Sequence, residues 1–302
     1  MNPAEITNAL DRYFEVRRFN ENDGWLPFIS EVDKATIKPF FVPEFWNGTW
    51  NGLMLENAAK IDRVYLIVFP TPKILDTIIA KEVERGAPGA MIFAHHPIAF
   101  DEKGVGFMPL AVEQLEELRE HGISFYNCHA PLDCHPVTST GNALANALGL
   151  NDLQRFAPYY GGLAGVYGTV PPISFQAFAE RLAKVCELPA LRYDQLLHNA
   201  QPIHKVALVP GGGGDQPIIS EAVGLGVDTY VTGHWHLFAD NPFSNNHREG
   251  FKTFVPTLNI NLLGASHYSS EMVVMRDQMK SWFSKELELE AVLIRQENPW
   301  GI

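Results

Sequence analysis

Six side chains able to bind a divalent cation stand in three short motifs of this 302-residue chain. "MIFAHHPIAF" carries His95 and His96 at the end of a strand-like apolar run and directly before Pro97. Consecutive strand residues point to opposite faces, so both imidazoles reach one place only where the strand ends and the backbone turns. "CHAPLDCHP" carries His129 and Asp133, an imidazole and a hard carboxylate close behind another apolar run. "GASHYSSE" carries His267 and Glu271, four residues apart and so on one face of a helix. Taken one at a time, each also reads as an ordinary sheet-edge or surface pair. Together, four imidazoles and two carboxylates are about what two divalent ions need if each also keeps a water.

Other residues near these motifs have two readings each. His234 and His236 in "VTGHWH" could act as acid and base or bind a phosphate, or could face solvent from an exit loop. His135 could support a ligand or be exposed. The run Gly211–Gly214 could cradle an anion, but it lacks the Lys-Ser/Thr of a nucleotide loop, and a tight strand-to-helix turn accounts for it. Cys128 and Cys134 flank ligands and read as packed thiols, and no CxxC pair exists.

The elements that must position these residues alternate. "VYLIVF" (64–69), "AMIFA" (90–94) and "ISFYN" (123–127) read as strands, with helices over 72–86, 109–122 and 141–150. The alternation restarts with a strand at 164–170 and a helix at 174–188, followed by strand, glycine turn, helix and strand through "DTYVTGHWH". A last block reads as strand, turn and one long helix. The pattern implies an α/β fold: two similar halves of mixed sheet flanked by helices, with a metal cleft between them. We place the halves at 51–155 and 156–302, the C-terminal helix returning to the metal site, behind an arm or lid of residues 1–50.

The net charge of -12 disfavours a nucleic-acid partner, because no basic cluster exists to replace counterions on phosphates. No stretch approaches the ~18 apolar residues of a membrane span, and the N-terminus lacks the pattern of a secretion signal. A cytoplasmic protein with no membrane partner is the expectation.

In order along the chain, "FAHHP", "CHAPLD…GNALANALGL", "HKVALVPGGGG…GVDTYVTG" and "GASHYSSE" resemble the NIF-three-like dinuclear-metal-centre family, whose members are often called GTP cyclohydrolase I type 2 homologues. The resemblance covers roughly residues 50–290. It implies that His95, His96, His129, Asp133, His267 and Glu271 bind two divalent metals per chain, with zinc, iron and manganese all compatible with mixed N/O donors. It also implies a toroidal homohexamer. The surroundings depart from the family: "IVFPTP" lacks the aspartate usual near the end of the first strand, "TWNGL" stands where an Asp-Asn-x-Gly-Leu pattern is usual, and His234 stands where an acidic residue is usual. The expected function is a metal-dependent hydrolase of an unknown small molecule, by resemblance a nucleotide or cyclic amide, with His234 or His236 passing the proton. The alternative is a non-catalytic metal-binding or regulatory scaffold that forms an oligomeric ring.

Overall fold

The structure is a computed structural model, and it describes residues 1–102, 104, 106–191, 193–195, 201–237, 240, 242–297 and 299. Its strands are β1 (Gly52–Leu55), β2 (Arg63–Ile67), β3 (Ala90–Ala94), β4 (Ala99–Asp101), β5 (Gly106–Met108), β6 (Ile123–Asn127), β7 (Asn151–Tyr159), β8 (Gly162–Ile173), β9 (Tyr193–Gln195), β10 (Ile203–Val209), β11 (Thr229–Thr232), β12 (Asn261–Gly264) and β13 (Glu290–Leu293). Two compact units share them. The first comprises Met1–Asp101, Phe107–His135 and Met275–Gln296; the second comprises Glu102–Gly106, Pro136–Val274 and Glu297–Ile302.

The first unit holds a five-stranded sheet in the order β1-β6-β3-β2-β13. β6, β3, β2 and β13 run parallel, and only β1 is antiparallel. Parallel strands covered on both faces read as unbroken apolar runs, and every residue of β3 and β6 is buried. The helix Pro72–Arg85 links β2 to β3. Proline opens it, and Gly86 closes it at φ 66°, a left-handed conformation that costs glycine little. Helix, sheet and N-terminal segment share one core, in which Trp25, Ile37, Phe41, Phe45 and Trp50 pack with Tyr65, Ile92 and Phe125. Residues 1–50 therefore contribute apolar side chains to the interior of this unit.

The second unit holds a six-stranded sheet in the order β7-β8-β10-β11-β12-β9. β10, β11 and β12 are parallel, and β7, β8 and β9 are antiparallel additions. Its core packs Val209, Ile219, Tyr230, Phe251 and Leu262. Residues 151–159 gave no strand signal in the sequence, yet they form β7, paired in a hairpin with β8. Asp152 and Ala157 take positive φ, and the register shifts between Asn151 and Gln154, so the two-residue period that marks a strand is broken. The long C-terminal helix expected from the sequence is present, with a π turn inside it: His267–Val274 is α-helical, Met275–Met279 is the π turn, and Lys280–Glu286 resumes the α-helix before β13. Among the described residues no helix is long and apolar enough to cross a membrane.

Candidate metal centre

Sheet register explains why ligands 34 residues apart in sequence meet in the first unit. Ala94 at the end of β3 pairs with Asn127 at the end of β6, so His95–His96 and Cys128–His129 leave the sheet side by side at its carboxyl edge. The ladder runs on past the strands: the His95 and His96 N–H groups donate to the Ile67 and Val68 carbonyls, and the Cys128 N–H donates to the Ala94 carbonyl. Ring centroids lie 4.5 Å apart for His95 and His96, 4.9 Å for His95 and His129, and 4.7 Å for His96 and His129. One nitrogen from each ring can be chosen so that all three lie within 4.8 Å of one another. All three side chains are buried, as is Asp133 on the short helix Ala130–Cys134.

The donor chemistry fits a cation. His95 Nδ1 lies 3.0 Å from the Cys128 carbonyl oxygen, which can only accept, so Nδ1 carries the proton and Nε2 the lone pair. That Nε2 stands 3.5 Å from Asp133 Oδ1. Two facing acceptors repel unless a proton or metal ion joins them. The His96 ring is held from one side by Phe69, stacked at 4.1 Å, and edge-on by Trp25 at 5.8 Å.

The sequence did not point to Glu21, which is 1% exposed and binds His129 Nδ1 through Oε2. Its Oε1 accepts from Asn51 Nδ2 at 2.6 Å and from the Ala130 N–H at 2.9 Å, and the Asn51 amide oxygen accepts the His129 N–H at 2.8 Å. Burial pushes the Glu21 carboxyl up, but the charge and hydrogen bond of His129, with the Asn51 and Ala130 bonds, outweigh it and hold the group below its usual value. Burial raises the Cys128 thiol well above its usual range, and Glu21, Asp133 and Asp11 add to the effect, so Cys128 is a thiol at neutral pH. His135 lies apart from this chemistry, packed on Tyr13 at 4.5 Å and Phe14 at 5.3 Å.

The second unit repeats the strand-end principle. Val209 pairs with Thr232, and Thr232 with Gly264, so the segments after β10, β11 and β12 emerge together. Ser266 takes φ 64° and turns the chain from β12 into the helix His267–Val274. His267 Nε2 and Glu271 Oε1 lie 3.2 Å apart, as the i,i+4 spacing requires. Gly211–Gly214 form the turn from β10 toward the helix Gln216–Gly224, and they come close to the site. A Cβ on Gly211 would stand 1.9 Å from Glu271 Oε1, and one on Gly214 would stand 2.5 Å from the His234 carbonyl oxygen.

Glu102, in the segment between β4 and β5, was also missed. It accepts from Ser266 Oγ and from the His267 N–H, each at 2.8 Å, and lies 3.8 Å from His234 Nδ1. Burial raises the Glu102 carboxyl, but the neighbouring His234 and the His267 N–H prevail and lower it. Burial lowers His234, the neighbouring His267 adds to this, and Glu102 and Glu271 oppose it. The His234 and His267 rings are 5.1 Å apart. His236 is half-buried, and its imidazole is lowered by burial and then by Arg248 and His247. Glu21 and Glu102 follow no spacing rule relative to the ligands they support, which lie 108 and 165 residues further along the chain. Polar carboxylates inside otherwise apolar or loop segments were the only signal.

Known proteins share this architecture. The chain is 29% identical over 233 residues to the "GTP cyclohydrolase 1 type 2 homolog" of Deinococcus radiodurans, covering 75% of this chain and 77% of that one. It is 26% identical over 254 residues to the protein of that name from Pyrococcus horikoshii, covering 83% and 90%. The crystal structure of TTHA1606 from Thermus thermophilus superposes with a TM-score of 0.67 at 20% identity, over all of both chains. Reduced HcgD from Methanocaldococcus jannaschii superposes at 0.59 and 18% identity over 98% of each chain. Residues 42–299 match the model of the Duf34/NIF3 (NGG1p interacting factor 3) family, to which this chain therefore belongs.

Proposed function

We propose that the protein is a divalent-metal-dependent hydrolase of a small molecule, with two ions held by His95, His96, His129, Asp133, His267 and Glu271. The observation that carries this reading is the convergence of one nitrogen from each of His95, His96 and His129 to within 4.8 Å at the carboxyl end of the sheet, beside a carboxylate. Bound there, zinc, iron or manganese ions would supply Lewis acidity to a substrate oxygen and acidify water. The chain's own residues do the rest. His95 and His129 present Nε2 because Cys128 and Glu21 occupy their Nδ1 atoms. His234 is the candidate proton carrier, its Nδ1 facing a Glu102 carboxylate anchored by Ser266 and His267. His236 is the second candidate. The relatives' name makes a nucleotide ring or another cyclic amide the first substrate class to try. The reading includes a cytoplasmic protein and a homohexameric ring, both taken from the family resemblance and composition.

A non-catalytic metal-holding scaffold is the second reading, and the burial of the donors favours it, because closed sites suit structural ions. Elemental analysis of chelator-free protein separates the possibilities. About two equivalents per chain are expected, and few in the Asp133→Ala/Glu271→Ala double variant. No metal after reconstitution would sink both readings. Two equivalents with no turnover of nucleotides, cyclic amides or phosphoesters would leave the scaffold.

A further inference from the structure

The family match begins at residue 42. Residues before it nonetheless reach the imidazole cluster: Trp25 meets His129 edge-on at 4.8 Å, and Glu21 binds His129 Nδ1. We infer that Glu21 is a positioning residue for the metal centre, supplied by an N-terminal segment outside the family match. Its role is to hold His129 with the proton on Nδ1 and the lone pair of Nε2 presented to the ion. The inference rests on the metal reading above and adds to it a residue that neither the motifs nor the family match contains.

Three features set Glu21 apart from an incidental buried acid. Four groups converge on its two oxygens: the His129 ring, the Asn51 amide, the Ala130 N–H and, at 3.3 Å, the Trp25 indole N–H. A carboxylate whose acceptor sites are so occupied has one orientation. Two of those partners brace the same ligand from other sides. Asn51 accepts the His129 backbone N–H, so backbone and ring are fixed by one Glu21–Asn51 pair, and Trp25 closes on the ring face. Finally, a carboxylate accepting the hydrogen bond of the far nitrogen makes an imidazole a more basic ligand, the role that carboxylate partners of metal-bound histidines play.

The consequence is reciprocal. If Glu21 favours the metal-ready form of His129, a bound ion favours the docked form of the segment that carries Glu21. The N-terminal 41 residues are then part of the metal site and not an appendage to it.

The test uses the full chain with the Glu21→Gln substitution, which keeps the size of the side chain and removes its charge. In metal-free protein labelled with 15N-histidine, parent His129 is expected as the Nδ1–H tautomer. Glu21→Gln is expected to populate both tautomers, because an amide can also donate to Nδ1. Chelator competition with zinc should then show about 10–100-fold weaker binding of one equivalent, with Glu44→Gln, an exposed carboxylate, unchanged. Parent His129 in the Nε2–H tautomer would overturn the inference, and so would a folded Glu21→Gln protein with parental tautomer and affinity. A parent that binds no metal but shows the expected tautomers would remove the metal reading while leaving Glu21's hold on His129 established. The two failures are therefore distinct.

Discussion

The two units hold their candidate ligands by different means. In the first, side chains do the holding: Glu21, Asn51 and Trp25 surround His129, and Phe69 backs His96. In the second, Glu102 accepts the His267 N–H, but close backbone approach does most of the holding. Gly211 and Gly233 bring bare main chain against Glu271 and His267, and Ser266 turns through φ 64° to start the helix. A ligand held by side chains can be retuned by one polar substitution with little effect on folding. A ligand held by close backbone approach cannot, because the smallest added atom has nowhere to go.

This contrast can be broken at several places. The largest effect is expected at Gly233, where a Cβ would stand 2.4 Å from the Gly211 carbonyl oxygen and 2.7 Å from His267 Cα. Neither neighbour is a flexible side-chain tip, so Gly233→Ala should cost about 3 kcal/mol, read by denaturant unfolding. A loss below about 1 kcal/mol would show that the second unit yields as readily as the first.

Alkaline titration probes both cores together. Burial raises Tyr126 in the first unit and Tyr230 in the second well above the usual phenol range. The folded form thus keeps protons that the unfolded chain gives up near pH 10. Stability is unaffected below that pH and falls above it, by about 1.4 kcal/mol per pH unit for each tyrosine. Absorbance at alkaline pH should show two of the tyrosines ionising only with unfolding. If all tyrosines titrate together before the fold is lost, these cores are more open than the structure shows.

The smallest effects set a baseline away from the ligands. Ser30 accepts from the Asp33 N–H in the first unit, and Ser174 from the Ala177 N–H in the second. Replacing either by alanine should cost about 1 kcal/mol of stability through loss of a helix cap, with metal content unchanged. A change in metal content on either substitution would mean that global stability, and not local holding, sets retention.

Much of the fold could be read from the chain because its signals are local. β3 and β6 are unbroken apolar runs, and the helix Pro72–Arg85 lies between a proline and a glycine. The Gly211–Gly214 run forms the expected strand-to-helix turn, but its proximity to Glu271 could not be seen in the sequence. β7 was missed because two positive-φ residues interrupt its period. The N-terminal segment was opaque for another reason. Its short helices carry aromatic residues spaced to fit a particular core, and no regular period results.

By itself the sequence determined the α/β alternation, the family, and the residue types able to bind a cation, since each depends on neighbours within a few positions. It also determined the His267–Glu271 pair, because i,i+4 contact is a property of any helix. Only the tertiary structure decided that His95, His96 and His129 share one place, because that depends on the pairing of β3 with β6. Only it could show that Glu21 and Glu102 serve His129 and His267. A buried carboxylate is stable only where donors and positive charge meet it, and those partners were brought to it by folding across more than 100 residues.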